Sequence, residues 1–374
     1  MNALRPAAFV ACVVTLVTAS GIRAEALIGS AAPITGKMAW FGEQHQRAVA
    51  LAVSEINAAD GLLGETVEVV EADDFCNAEQ AVAAANKLIA YGVDVVVGHN
   101  CSGAAIPASK VYADAGVLMI AGTATNPVIT DQGFDQTFRM VARDTLQGEM
   151  AAAYLAEHRA DRRIAILHDG EGYGQGLAEA TKAELNRRGV REAIYAQVTP
   201  GQADYSETLA QLEAAGIDVL FYGGYQPEAA LLIRQARDRG YDVELVGSDA
   251  LVTEYFWHVA GPAAVGVRFV SMADPRTSEA AAPIVEKFRS EGYEPEGFTL
   301  YSYAAVEVWA QAVERAATFD TRAVAEALRA HQFDTVLGKI GFDEKGDVYG
   351  YEPFTWYVWQ EGDYAPVDPA ELTE

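Results

Sequence analysis

Basic residues are scarce in this chain of 374. Only 27 Lys and Arg stand against 53 Asp and Glu, for a formal charge of −26. That field repels phosphate backbones and anionic headgroups, so neither nucleic acid nor a charged membrane surface is an expected partner. Histidine is also sparse and does not cluster. His45, His158 and His331 fall on helical patterns, and His168 and His258 have no paired carboxylate at metal-ligand spacing. No H-x-x-x-H, G-x-S-x-G or P-loop pattern occurs, so metal or nucleophilic catalysis has no positive sign; no cofactor and no metal are expected. Beyond the N-terminus no apolar run approaches a membrane span.

Cysteine is limited to three residues, Cys12, Cys76 and Cys101. The first sits in a stretch that reads as a secretory signal peptide, with Arg5 as the positive end, Ala7 to Ala19 as the apolar stretch and cleavage near Ala24. Phe9-Val10-Ala11-Cys12 lies too early in that run for a lipoprotein box. Export leaves Cys76 and Cys101, an even pair for which a disulfide is the default. The rival is a catalytic thiol with His99 as base, which an oxidising compartment would consume.

What the chain has in plenty is alternation of strands and amphipathic helices. Short apolar runs at Ala26–Ser30, Thr66–Asp73, Val95–Val97 and Val117–Ile120 are separated by helical spacing over Gly42–Asn57, Ala78–Tyr91 and the segment opening at Ser102. After Phe138–Val141 the pattern restarts and continues to Ser271. The remainder offers three helices and an aromatic strand, Pro353–Gln360. Those helices have no strands of their own, so they are expected to pack back on the first sheet. The reading is an α/β fold of two lobes with parallel sheets and a cleft between facing sheet edges.

At such edges the turns after adjacent strands converge, and ligands bind there. Ser102 and the Thr123-Ala124-Thr125 turn place hydroxyls beside a helix start, a candidate anion site suited to a carboxylate. Asp169-Gly170-Glu171-Gly172-Tyr173-Gly174 looks like a dinucleotide turn, but the third glycine of G-x-G-x-x-G is missing. It reads instead as a flexible turn presenting Tyr173. Tyr225, after Gly223-Gly224, either contacts ligand or caps the sheet edge. Asp249 is either a helix cap or the counter-charge for an ammonium group.

Taken together, GHNCSGAAIPASKVYADAGVLMI, HDGEGYGQGLAEA, FYGGYQPEAALLIRQAR and FDEKGD make the chain resemble the type I periplasmic solute-binding proteins of the leucine/isoleucine/valine family of ABC transporters. The resemblance implies two Rossmann-like lobes joined by several hinge crossings: 1–24 as signal peptide, 25–143 with 273–352 as the N-terminal lobe, and 144–272 with 353–374 as the C-terminal lobe. It implies a periplasmic, monomeric, non-enzymatic protein that captures an amino acid by hinge closure and delivers it to a membrane permease and its ATPases. Ser102 and Thr125, with backbone N–H groups around Thr123, would bind the carboxylate. Tyr225 and Asp249 would hold the ammonium and Tyr173 would close over the ligand. The branched-chain binders have Glu at Asp249, Tyr at Phe41, Ala at Thr123 and an apolar residue at Asn100. These departures imply a small, polar or ω-amino acid at least as readily as leucine. Amide, urea or other small-carboxylate binding, and service to a membrane receptor, are the alternatives.

Overall fold

A computed structural model describes residues 25–368 and Leu372; the expected signal peptide therefore lies outside the described residues. The first sheet takes strands β1 (Glu25–Ala32), β2 (Thr66–Asp73), β3 (Val95–Gly98), β4 (Leu118–Ala121) and β5 (Thr137–Arg139) in the order β2-β1-β3-β4-β5, all parallel. Every residue of β3 and β4 is buried, as a parallel strand covered on both faces requires. Between the strands run α1 (Ala39–Ala58), α2 (Ala78–Tyr91), α3 (Ser102–Ala115) and the single turn α4 (Val128–Asp131). Local chemistry sets these limits. Asn77 Oδ1 accepts from the N–H groups of Glu79 and Gln80 to start α2, and Gly92, at φ 77°, ends it in the left-handed conformation that glycine adopts without cost.

The second sheet contains β6 (Ile164–His168), β7 (Ile194–Gln197), β8 (Val219–Gly223), β9 (Glu244–Gly247) and β10 (Arg268–Ser271). They alternate with α5 (Asp144–His158), which precedes β6, α6 (Gly174–Arg187), α7 (Ser206–Ala214), α8 (Gln226–Asp238) and α9 (Glu254–Ala260). The chain then returns to the first sheet through α10 (Ala282–Ser290), α11 (Thr299–Ala316) and α12 (Thr321–Ala330). Leu300, Ala304, Val308, Trp309 and Leu328 pack with Ile28, Val95, Val97, Leu118 and Ile120 in one core, as expected for helices covering that sheet.

One expectation fails here. The helical remainder does bring strands: β11 (Gln332–Thr335), β12 (Gly338–Phe342) and β13 (Val348–Tyr349) form a small antiparallel sheet. The strands are short and glycine-broken, and only the alternate residues Phe333 and Thr335 of β11 are buried, too few for periodicity to register. A last crossing carries the chain to β14 (Thr355–Trp359) and β15 (Tyr364–Val367), which extend the second sheet antiparallel beyond β10. The chain thus passes between the sheets three times.

Cys76 and Cys101 are joined, with Cα atoms 5.4 Å apart across a sequence separation of 25. This removes the catalytic-thiol reading. His99 is occupied elsewhere: its Nδ1 lies 2.6 Å from Asp74 Oδ2 and its Nε2 3.0 Å from the Tyr112 hydroxyl, all buried. Asp74 also accepts the Cys76 N–H at 2.8 Å, so the loops after β2 and β3 are pinned twice. Replacing both cysteines by Ala is expected to cost roughly 3 kcal/mol through loop entropy and to lower the melting temperature by several degrees; a melting curve indifferent to both the substitution and a reductant would contradict this.

Candidate functional site

All the residues singled out from the sequence come off the C-terminal ends of strands. Phe41 follows β1, Asn100 and Ser102 follow β3, and Thr123 and Thr125 follow β4; from the second sheet, Tyr173 follows β6, Tyr225 follows β8 and Asp249 follows β9. Parallel pairing, with β3 between β1 and β4 and β8 between β6 and β9, stacks these turns side by side. The eight residues line one small cavity, together with Trp40, Gln226, Ala250 and Phe298.

On the first-sheet side the wall is hydroxyl-rich. Thr123 Oγ1 donates to the Asn100 carbonyl at 2.8 Å, which locks the two turns together. Ser102 Oγ accepts the Asn126 N–H at 3.2 Å. No side chain caps the start of α3, so its first-turn N–H groups keep the capacity to meet an anion. Behind this turn the Arg139 guanidinium, wholly buried, donates to the carbonyls of Thr125 at 2.8 Å and Asn126 at 2.9 Å, to Thr130 Oγ1 at 2.7 Å and to Asp347 Oδ1 at 2.5 Å.

The opposite wall is acidic and aromatic. Asp249 Oδ1 accepts from the Tyr173 hydroxyl and, at 3.1 Å, from Gln147 Nε2, while the Asp249 N–H donates to Gln147 Oε1 at 2.8 Å. The Tyr173 hydroxyl oxygen also lies 2.8 Å from Ser248 Oγ, whose O–H donates to it, and the Tyr173 ring stands 5.0 Å, centroid to centroid, from Tyr225. Burial pushes the Asp249 carboxyl above the ordinary carboxylate range. Asp144, which accepts from Gln147 at 3.1 Å, is pushed up by burial and then by Asp249. Asp249 is thus a buried acid with hydrogen bonds but, among the described residues, no cationic partner.

The lobes touch over the cavity. Asn126 Nδ2 donates to the Gly172 carbonyl at 2.7 Å, and Trp40 stacks on Tyr255 with centroids 5.7 Å apart. A Cβ on Gly172 would sit 3.0 Å from Gly103 Cα, so glycine at 172 lets the Gly-rich turn close on the start of α3. Reading the sequence missed Trp40, Gln226 and Phe298 as lining residues, and Gln147 and Arg139 as supports. Gln226 was within reach, being the residue after Tyr225 at a helix start. Phe298 comes from the returning segment and carries no local signal.

Two α/β lobes folded over a small cavity lined from both sheets define the class: a bilobal binding protein with its site between the lobes. The model of the family described as periplasmic binding protein matches residues 26–362, and the chain belongs to that family. It is 42% identical over 344 residues to Leu/Ile/Val-binding protein homolog 1 of Brucella abortus, covering 91% of this chain and 93% of that one. Its fold is similar to that of leucine binding protein LivK from Thermotoga maritima (TM-score 0.83, 25% identity, 92% and 99% of the chains). It also resembles LivJ from Streptococcus pneumoniae, a branched-chain amino acid transporter substrate binding protein in complex with isoleucine (TM-score 0.80, 25% identity, 92% and 100%). The resemblance read from the sequence therefore holds. The chain is an exported periplasmic solute-binding protein of the ABC-transporter kind and not an enzyme.

The two raised acids have a consequence for stability. Folded Asp249 and Asp144 retain protons that the unfolded chain releases near its ordinary carboxylate pKa, so their contribution to stability declines as pH rises from about 4 towards neutrality. Asp249→Asn is expected to make the ligand-free protein melt higher than wild type at pH 8, with the gap shrinking at pH 4–5. Thermal unfolding across a pH series measures it, and a pH-independent gap would contradict the assignment.

Proposed function

We propose that this protein is the substrate-binding component of an ABC transporter for small, polar or ω-amino acids, taken up in the cleft by hinge closure. The observation that carries the reading is the pairing, across one cavity, of a hydroxyl-rich edge at a helix start with a buried carboxylate that has no cationic partner among the described residues. Ser102 and Thr125 receive the ligand carboxylate, with backbone N–H groups around Thr123 and at the start of α3. Asp249 and Tyr225 hold the ammonium, and Tyr173 closes against it. A zwitterion so placed meets a complementary charge at each end in a dry site, where such hydrogen bonds are strong.

Closure follows from the same charges. The ligand touches both lobes, so it favours the closed arrangement in an open–closed equilibrium by its differential contacts. The lobes are taken as residues 25–143 with 273–352 and 144–272 with 353–374. The working unit is a monomer, freed of its signal peptide near Ala24, that hands its ligand to a membrane permease with ATPase subunits.

The relatives named above carry leucine, isoleucine and valine in their names. Here the shorter carboxylate of Asp249, the phenyl ring of Phe41, the hydroxyl of Thr123 and the amide of Asn100 favour a different ligand. A methylene gained or lost in an apolar pocket changes selectivity by only ~1–3 kcal/mol, whereas unpaired polar groups discriminate far more. Asp249→Ala is expected to abolish amino-acid binding, at least a hundredfold, while the circular dichroism of the empty protein is retained. Isothermal titration measures this, and affinity that survives the change would remove the ammonium assignment. Titration of the wild type across a panel tests the ligand class: tight leucine binding with no response to small or polar amino acids would overturn it.

A further inference from the structure

Two amides in the cavity wall are each half used. Asn100 Nδ2 donates to the Phe41 carbonyl and Gln226 Nε2 to Thr253 Oγ1, both at 3.4 Å. These contacts orient each amide, and among the described residues they leave Asn100 Oδ1 and Gln226 Oε1 without any hydrogen-bond partner. The side chains are not solvated instead: Asn100 is 2% exposed and Gln226 0%. They reach the cavity from opposite lobes, Asn100 in the turn after β3 and Gln226 as the first residue of α8. The Trp40 indole Nε1, in the same wall and also out of solvent, has no partner either.

A buried acceptor without a donor costs the full desolvation of that group, so two in one small cavity select for something that satisfies them. On the reading proposed above, on which this step rests, the ligand's carboxylate and ammonium are already placed at Ser102/Thr125 and at Asp249. The free oxygens are then left for the ligand's side chain. They are neutral amide oxygens, which suits a neutral donor better than a second ammonium. Beside them the Trp40 N–H offers a donor, which a group that both donates and accepts would use. Hydroxyl and carboxamide do both. Phe41 and Phe298, with ring centroids 5.4 Å apart, bound the same cavity.

We infer that Asn100 Oδ1 and Gln226 Oε1 form a side-chain subsite, and that the ligand is a small α-amino acid bearing a hydroxyl or carboxamide. Gln226 is thereby a specificity-determining residue, acting by rejecting apolar isosteres whose binding would leave its oxygen unpaired.

Isothermal titration of the mature protein with shape-matched pairs tests this: threonine against valine and asparagine against leucine, with alanine as a ligand that reaches neither oxygen. The expected result is a preference of at least tenfold for the polar member of one pair or both. In Gln226→Leu and in Asn100→Leu that preference falls about tenfold. Should either variant fail to fold, the wild-type ratios decide. Alanine binding without discrimination in either pair overturns the subsite alone, as does a preference that both variants leave intact. Failure of alanine and of every other α-amino acid to bind overturns the zwitterion reading itself.

Discussion

The Arg139 guanidinium is the constraint on which the site depends. It is fully buried at the end of β5, where a cation is expensive unless every N–H finds an acceptor. Its acceptors are the carbonyls of Thr125 and Asn126 and the hydroxyl of Thr130, all shortly before it in the chain, and Asp347 far along it. The first two belong to the hydroxyl turn and the last to the turn before β13, near the final crossing to the second sheet. Arg143 reaches the same Asp347 at 3.0 Å from just before α5, at the first crossing. One buried charge therefore fixes the shape of the anion-binding turn and ties it to two of the three segments that link the lobes. Asn126 carries the connection onward, since its backbone is held by Arg139 and Ser102 while its side chain reaches Gly172 in the other lobe.

Asp249 plays the opposite part. Arg139 is buried and compensated; Asp249 is buried and left short of charge. Tyr173 and Gln147 supply hydrogen bonds, yet burial still holds its carboxyl above the ordinary range, and Asp144 lies close enough for each to disfavour ionisation of the other. Such an arrangement is unfavourable for the empty closed form and favourable once a cation enters. On the proposed reading, closure would then depend on the ligand's cation, while on the opposite side of the cleft the turns of the first lobe are braced by the disulfide and by Asp74 and His99.

Much of this was legible in the sequence because the strands are short, apolar and buried on both faces, and the turns that follow them carry the chemistry. The bounds of Ala78–Tyr91 fall where spacing and the flanking Asn77 and Gly92 put them. The eight candidate residues meet in one cavity because parallel pairing leaves them no other place. What escaped has physical reasons. The β11–β13 sheet has strands of two to five residues, below the length at which alternation is readable. Arg139 looked like one polar residue in an apolar strand, since its acceptors are carbonyls that no side-chain pattern reveals. Phe298 reaches the cavity only because the chain returns from the second sheet, a tertiary fact without local trace.

The amides explain why the hydroxyl turn alone does not identify a ligand. On the proposed reading Ser102, Thr125 and Asp249 would face groups that every α-amino acid possesses, so their interaction with leucine and with serine would be nearly the same. Discrimination has to come from atoms beyond those groups, and it is strongest where the protein carries an unmet hydrogen bond rather than an apolar surface of approximate fit. Asn100 and Gln226 meet that condition; Phe41 and Phe298, whose rings have no hydrogen bond to satisfy, do not. Because one amide comes from each lobe, a side chain that satisfies both is also one that favours closure. Selection of the ligand and closure of the cleft are then the same event.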